Sequence, residues 1–428
     1  MIINILNVAI ISIVVKGFGF YKEIVVAGTF GLSELLDTFY IALLVPGFVN
    51  EVFLNAFKSV FIPNYIAEKK STNFLGAFQT TSFIVTVSTA LFFMIISFLF
   101  TDVFLETFFK GHSESYYALI KTQFYYLLPC IMFWGLTSLI SGLLNVYDEF
   151  KYSSIHPVLT SVAMLICLIF YKDELQESVL AVGMLIGSVS EFLLLLFIAI
   201  KKNILKFTLP DFSNNNTIIM FKQVPAKVSS GFLTGLIPLT DQFFAAQLVL
   251  GSIAALNYGL KIPAFFSTIV ILAMGNVLLP YFSKLTIDNK EEAFKKLYYI
   301  LIRLFLALII LAAILMLFSN QIIDFFFERN EFSSDDTIIV ANIQRMFLIG
   351  IPFTICGNIL VRFLTSINKN AFMAYVSFGS MLLNIILDFI LMKYYGVMGI
   401  ALCTALLQII RSLVLFKYTV NQNKVRVA

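Results

Sequence analysis

Charged residues are scarce in this sequence. Asp, Glu, Lys and Arg make up 13% of the 428 residues, about half the share that a soluble domain carries. The two histidines and four cysteines show no metal-ligand spacing, and each cysteine lies in an apolar run, as small buried cysteines do. The composition therefore gives no support to nucleic-acid binding, to a disulfide or to a bound metal.

Apolar residues dominate instead. Hydrophobic residues make up 60% of the chain, which contains 47 phenylalanines. A membrane barrel would show alternating segments of about ten residues, and none is visible. The sequence therefore predicts an all-α polytopic membrane protein. The N-terminus shows neither a basic region nor a cleavage pattern, so we expect the first helix to be retained.

Twelve membrane-spanning helices are predicted, because one span needs about 20 apolar residues. The first six are expected at 3–30, 34–63, 75–101, 118–147, 154–171 and 178–200, and the second six at 218–247, 251–283, 297–319, 338–365, 370–393 and 396–418. The polar segment between them has the Asn, Ser and Pro content of a surface connection. We predict an N-terminal six-helix lobe at 1–200, a cytoplasmic linker at 201–217 and a C-terminal six-helix lobe at 218–428.

The basic residues predict the orientation of the spans. One set of loops carries fourteen Lys and Arg residues, among them Lys69, Lys70 and Lys201, and the opposite set carries four. Loops rich in Lys and Arg stay in the cytoplasm. Both termini and the linker are therefore expected to be cytoplasmic.

The two halves of the chain resemble each other at an offset of 217 residues. Pro46 falls on Pro263, and Pro63 falls on Pro280. A shared spacing of 17 residues is hard to obtain by chance among only ten prolines. Six helices repeated in one orientation imply a pseudo-two-fold axis along the membrane normal. Transporters built from such repeats place the substrate between the halves and rock them to alternate access.

Costly charges concentrate in the first two helices of each half. A charge near the bilayer centre costs about 2.5 kcal/mol or more, so its side chain should face a partner or a wet cavity. On one helical face, Asp37, Glu51 and Lys58 fall within about 60° of one another. The predicted substrate-binding residues are Lys16, Lys22, Asn50, Asn257 and Lys261. The predicted gating or coupling residues are Glu23, Asp37, Glu51 and Asp241, together with the two prolines Pro46 and Pro263.

Pro46 and Pro263 lie inside predicted helices, where proline removes a hydrogen bond and bends the helix. Each could be a hinge or a fixed kink, and the sequence favours neither. The cavity charges suit an anionic headgroup such as the diphosphate of a lipid carrier. Proton or sodium coupling through Asp37, Glu51 or Asp241 fits equally well.

Several motifs resemble a known family. They are Gly19-Phe20-Tyr21-Lys22-Glu23, Phe30-Gly31, Asp37-Thr38-Phe39 and Phe61-Ile62-Pro63 followed by Glu68, with NYGLKIPAF and LLPYFSK in the second half. The chain is similar in these stretches to the MurJ/MviN family of lipid II flippases. That family belongs to the superfamily of multidrug, oligosaccharidyl-lipid and polysaccharide (MOP) exporters, which includes the MATE transporters.

The resemblance implies a two-lobed MATE/MOP-like flippase in the bacterial inner membrane. It would carry an undecaprenyl-diphosphate-linked glycan precursor, lipid II or a related oligosaccharide, as a monomer without a cofactor, coupled to Na⁺, H⁺ or the membrane potential. The family's cavity arginines fall at Lys16, Lys22 and Lys261, which keep the charge but not the bidentate grip of arginine. Its adjacent arginine pair falls at Asn50 and Glu51, which reverses the charge. The family usually has fourteen helices, against the twelve predicted here.

Three other functions are alternatives to this one. A flippase for O-antigen or capsular repeat units and a cation-coupled multidrug exporter would use the same fold. A membrane glycan polymerase or ligase would need a sizeable loop or a cluster of acid–base residues. The longest loops here have about 18 residues, so a transporter is favoured over an enzyme.

Overall fold

The computed structural model describes residues 2–71, 75–367 and 369–424. At a few helical positions, which include Pro280, only the backbone is described. The first half contains α1 (Ile2–Phe30), α2 (Glu34–Val49), a π-helix (Asn50–Leu54), α3 (Asn55–Ser71), α4 (Leu75–Leu99), α5 (Thr101–Phe108), α6 (Glu114–Val146), α7 (Phe150–Ile155), α8 (Val158–Phe170), α9 (Lys172–Leu175), a 3₁₀ turn (Gln176–Ser178) and α10 (Val179–Lys201). The second contains α11 (Asn215–Ala245), α12 (Ser252–Asp288), α13 (Lys290–Leu317), α14 (Ser319–Phe327), α15 (Ser334–Ser366) and α16 (Asn370–Lys424).

The all-helical class predicted from the sequence is confirmed. The described residues contain no strand, and their one isolated β-bridge joins Arg329 to Phe332. Within the same residues, nine helices are long and apolar enough to cross a membrane. The last of the nine contains both spans predicted at 370–393 and 396–418, while the spans predicted at 3–30 and 218–247 correspond to α1 and α11. The total of twelve stays a prediction.

The chain forms two compact units. The first consists of Met1–Val26 and Glu34–Leu239, and the second of Ala27–Ser33 and Thr240–Ala428. The first unit therefore extends beyond the linker predicted at 201–217 and includes most of α11.

Hydrogen bonds explain why the linker packs with the first unit. The buried Gln79 side chain accepts a bond from the Lys206 backbone N–H at 2.7 Å and donates to the Ile204 carbonyl at 3.0 Å. The fully buried Glu68 carboxylate accepts from the side chains of Asn214 and Asn216 at 3.1 and 2.7 Å. A buried carboxylate needs such donors, so the Asn-rich segment is anchored to α3 and α4.

In the same segment, the Ser213 hydroxyl and backbone N–H both donate to the Asp211 carboxylate, at 2.6 and 2.9 Å. Donors that favour the charged form lower the pKa of the Asp211 carboxyl. The linker therefore has an ordered turn of its own before α11 begins.

Close helix packing builds the rest of the first unit. Helix α10 packs on α6 and α8, and α2 packs on α6. The contact between α10 and α8 depends on small residues, because a Cβ at Gly187 would lie 2.4 Å from the Thr160 Cα. Aromatic residues fill the core around Phe61, Tyr65 and Phe78.

In the second unit, α15 packs against α12, α13 and α16. Phe282, Phe294 and Phe363 form its aromatic core. Ser333 and Asp336 make a capping box that begins α15. The end of α1 belongs to this second unit. Gly31 adopts φ +53°. A Cβ added at Gly31 would lie 2.3 Å from the Glu331 carbonyl oxygen, so larger residues are excluded at this position.

Candidate functional site

The predicted site residues divide between the two units. Lys16, Lys22 and Glu23 on α1 belong to the first unit. Lys22 forms an ion pair with Glu23 at 2.6 Å, and both side chains are largely buried. Lys16 is exposed and has no ion pair with any described residue. Of the two lysines, Lys16 is therefore the one whose charge is available to a ligand.

The helix that contains Pro46 changes from α-helical to π-helical geometry at Asn50 and Glu51, two further predicted residues. The π-helix begins at Asn50, and the Asn55 N–H donates to the Asn50 carbonyl five residues earlier. Glu51 is exposed and accepts a bond from the Asn55 side chain at 2.9 Å. π-Turns of this kind occur frequently at functional sites. Asn50 and Glu51, on which the family's arginine pair is predicted to fall, thus lie in the irregular turn of this helix.

The π-turn also corrects the shared face predicted for Asp37, Glu51 and Lys58. A turn with one extra residue rotates all later side chains by about 100° relative to a regular α-helix. Asp37 is buried, with 2% of its surface exposed, whereas Glu51 is exposed. Lys58 donates to the Ser141 hydroxyl on α6 at 3.5 Å. The three side chains therefore occupy different environments.

Asp241 of the second unit lies in a buried polar cluster that we call the Asp241 cluster, comprising Asp241, Asn384, Asp388 and Thr404. The Asn384 amide nitrogen donates to Asp241 Oδ1 and to Asp388 Oδ2, both at 2.9 Å. The Thr404 hydroxyl donates to Asp241 Oδ2 at 3.0 Å. Asn384 and Asp388 are fully buried, and Asp241 is 9% exposed. Two carboxyl groups thus share one buried amide.

A sharp bend in α16 assembles this cluster. Gly396 has φ +56° and ψ −137°, a conformation that only glycine adopts readily. The Cys403 thiol lies 3.7 Å from the Asn384 carbonyl oxygen, although a straight helix would separate these residues by about 28 Å. Helix α16 is therefore folded back on itself, which brings Thr404 next to Asn384.

The Asp241 cluster has more acceptors than donors. The buried atoms Asn384 Oδ1 and Asp388 Oδ1 have no hydrogen-bond partner among the described residues. A buried carboxylate pair without enough donors is unfavourable unless a proton or a cation joins it. Carboxylate and amide oxygens are suitable ligands for a hard cation. Among the described residues, no group of three or more His, Cys, Asp or Glu has the geometry to hold a metal ion.

Asn384, Asp388 and Thr404 are not among the residues predicted from the sequence. A signal existed for two of them, because Asn384 and Asp388 are four residues apart on an apolar helix and so share a face. Burying the Asp388 carboxylate in a membrane span also carries the same desolvation cost as burying that of Asp241. Thr404 could not be found without the bend at Gly396.

The other predicted residues of the second unit lie on α12. The Asn257 side chain donates to the Ile253 carbonyl at 2.9 Å, within its own helix. Lys261 is partly exposed one turn later. Pro263 is buried inside α12, and its carbonyl accepts from the Ser267 hydroxyl at 2.8 Å. The proline that was predicted as a hinge or kink thus lies within a continuous helix.

Comparison with known proteins places the chain in a family. The family model described as "Lipid II flippase MurJ" matches residues 26–427. A probable lipid II flippase MurJ of Rickettsia prowazekii is 24% identical over 98% of this chain and 84% of its own length. The lipid II flippase MurJ of Thermosipho africanus is 26% identical over 92% of this chain and 80% of its own length.

Solved structures agree with the family match. A lipid II flippase MurJ in an inward closed conformation gives a TM-score of 0.82 at 25% identity, over 96% of this chain and 87% of that one. An inward-facing MATE multidrug transporter gives a TM-score of 0.80 at 15% identity, over 97% of this chain and 98% of that one. This second match shows a likeness of fold. The predicted MOP-like fold, transporter class and bacterial inner-membrane location are confirmed. The chain belongs to the MurJ family of lipid II flippases.

Proposed function

We propose that this chain moves an undecaprenyl-diphosphate-linked glycan precursor, lipid II or a related lipid-linked oligosaccharide, across the inner membrane by alternating access. The observation that carries this proposal is the family match over residues 26–427. The repeated halves fit it, because transporters built from such repeats alternate access by moving one half against the other.

The proposed contacts to the diphosphate are Lys16 and Lys261, with Asn257 and Asn50 as polar neighbours. Lys16 supports this role best, since it is exposed and forms no ion pair with a described residue. Lys22 would contribute less charge, because Glu23 already neutralises it at 2.6 Å. A lysine ammonium binds phosphate as a point charge rather than through a bidentate fork.

Coupling is proposed to occur at the Asp241 cluster. Its two buried carboxyl groups and unpartnered oxygens would hold a sodium ion or a proton. Binding there would favour the conformation in which α11 and both arms of α16 are held together, and so bias the transport cycle. Glu23, Asp37 and Glu51 stay candidates for gating, and Pro46 and Pro263 for bending.

The proposed orientation has both termini in the cytoplasm, and the proposed state is a monomer. The orientation rests on the excess of Lys and Arg in one set of loops. The lysine-poor loops would then face outward and receive the glycan.

Asn50 and Glu51 favour a lipid-linked glycan other than lipid II as the substrate. They lie in the π-turn, where the resemblance to the family predicts two arginines, and the loss of those positive charges would weaken binding of a second anionic group. A flippase for polysaccharide repeat units is therefore the second candidate.

Complementation separates the two candidates. The chain would be expressed in a bacterium depleted of its own lipid II flippase, with membrane insertion checked by immunoblot. Restored growth is expected if lipid II is the substrate. If the inserted chain fails to restore growth, and its deletion from the native host removes a surface polysaccharide, then the lipid II assignment is wrong.

A further inference from the structure

Helices α5 and α14 are equivalent elements of the two halves. Each is a short helix between two long spans, and they match at an offset of 218 residues. Both begin with a buried hydroxyl residue, Thr101 or Ser319, which donates to a carbonyl four residues earlier at 2.6 and 2.9 Å. The next apolar contact is also kept, since Leu105 and Ile323 are both buried. The two helices can therefore be compared position by position.

The second residue of these helices differs in charge. In the first half it is Asp102, whose carboxylate forms an ion pair with Lys121 of α6 at 2.5 Å. In the second half it is Asn320, whose amide oxygen accepts a bond from Arg345 of α15 at 3.2 Å. A cation from the following long helix thus meets an anion in one half and a neutral amide in the other.

Arg345 has only neutral partners among the described residues. Its Nε donates to the Met316 carbonyl at 3.2 Å, and its Nη1 donates to Asn342 Oδ1 at 2.6 Å. With the bond to Asn320, three of the five guanidinium N–H groups are used, and two have no partner in the described part of the chain. The amide nitrogens of Asn320 and Asn342 add further donors, whereas none of the described carboxylates lies within 4.0 Å of the guanidinium.

The position of this group is close to the lipid surface. Met316 lies in the last turn of α13, so the guanidinium is at the end of a span, at the depth of the headgroups. Leu317 and Phe318, three and two residues before Asn320, are 72% and 48% exposed, as expected of side chains that contact lipid. Asp324 occupies the same position as Glu106 one turn later, so the charge difference between the halves arises at Asn320.

We propose that Arg345, Asn320 and Asn342 form a binding site for the phosphate group of a membrane lipid at the lysine-poor end of the second half. The guanidinium matches a phosphate in shape and charge, and two of its N–H groups can bind two phosphate oxygens. The amide nitrogens supply neutral donors beside it. The corresponding position in the first half cannot bind an anion in this way, because Asp102 already pairs with Lys121.

Short-chain lipids test the proposal on the purified full chain in detergent. Thermal unfolding would be titrated with dioctanoylphosphatidylglycerol, with dioctanoylglycerol, which lacks the phosphate, and with inorganic phosphate. We expect the phosphatidylglycerol to raise the unfolding temperature more than either of the others. Equal effects of the two lipids would show that the phosphate is not recognised, and an equal effect of inorganic phosphate would show a free-anion site instead of a lipid site.

Variants assign the effect to Arg345. Arg345→Gln removes the charge, and Asn320→Asp supplies the internal carboxylate found in the first half. Each should weaken the phosphatidylglycerol effect by on the order of tenfold in midpoint concentration, while the matched variant Lys121→Gln should not. Asp102→Asn should create a new phosphate-dependent response. If Arg345→Gln fails to fold, Asn320→Asp decides, and an unchanged midpoint in that variant overturns the proposal.

Discussion

Asp388→Asn is the sharpest test of the Asp241 cluster. Asp388 is fully buried, and its Oδ2 accepts from Asn384 at 2.9 Å. Asparagine has nearly the same shape and can present its amide oxygen to Asn384, so the fold should persist. The substitution removes one negative charge from a site that we propose binds a cation. A contact to a charged group contributes about 1.5–3 kcal/mol, so cation affinity should fall roughly 10- to 150-fold.

This loss has a measurable size. At a sodium concentration of about 100 times the dissociation constant, binding stabilises the wild type by about 2.7 kcal/mol. A variant that binds about 100-fold more weakly would retain only about 0.4 kcal/mol of that stabilisation. The assay is thermal unfolding of the purified chain in sodium chloride and in choline chloride at equal ionic strength. A second series at several pH values in choline chloride tests proton binding.

The control variant is Glu291→Gln, which changes the net charge equally at an exposed residue paired with Lys295. Its response to sodium and to pH should match the wild type. A sodium response lost in Asp388→Asn identifies a sodium site, and a pH response lost in that variant identifies a proton site. If the wild type shows neither response, or if Asp388→Asn keeps both, the reasoning is wrong.

Three further predictions concern transport, topology and packing. Lys16→Ala and Lys261→Ala should each abolish transport in the complementation assay while membrane levels of the protein stay normal; normal growth with both variants would refute their role. A cysteine at Ser334 in a cysteine-free background should react with an impermeant reagent from outside the cell, and labelling only from the cytoplasmic side would reverse the topology. Gly187→Ala should destabilise the first unit by about 1–3 kcal/mol, because the new Cβ would lie 2.4 Å from the Thr160 Cα. Gly379→Ala, with no atom within 4 Å of the new Cβ, is its control in thermal unfolding, and equal unfolding temperatures would contradict the packing argument.

The positions of the long helices could be predicted because apolar length is a local property of the sequence. The predicted spans at 75–101 and 178–200, for example, correspond to Leu75–Leu99 and Val179–Lys201. The site was harder to predict. Asp241 was identified by its desolvation cost, but the partners that satisfy it come from α16 and meet it only because Gly396 bends that helix.

Local rules also failed where the backbone departs from regular geometry. The shared face of Asp37, Glu51 and Lys58 assumed 100° per residue, and the π-turn at Asn50–Leu54 breaks that assumption. The ion pair between Lys22 and Glu23 joins consecutive residues, which ordinarily point to different sides of a helix. Neither the π-turn nor this ion pair can be predicted from a regular sequence pattern.

The π-turn has a consequence for how the two halves should be aligned. Helix α12 runs without interruption over Ser252–Asp288, whereas its counterpart in the first half contains one extra residue in the turn at Asn50–Leu54. The constant offset of 217 residues that pairs Pro46 with Pro263 therefore matches residue types but not the phase of the helical backbone after Leu54. From that point, a structural alignment of the halves requires a one-residue gap. The two helices are thus in phase before the π-turn and about 100° out of phase from there to the end of α3, so that related stretches of sequence have a different helical phase in the two halves.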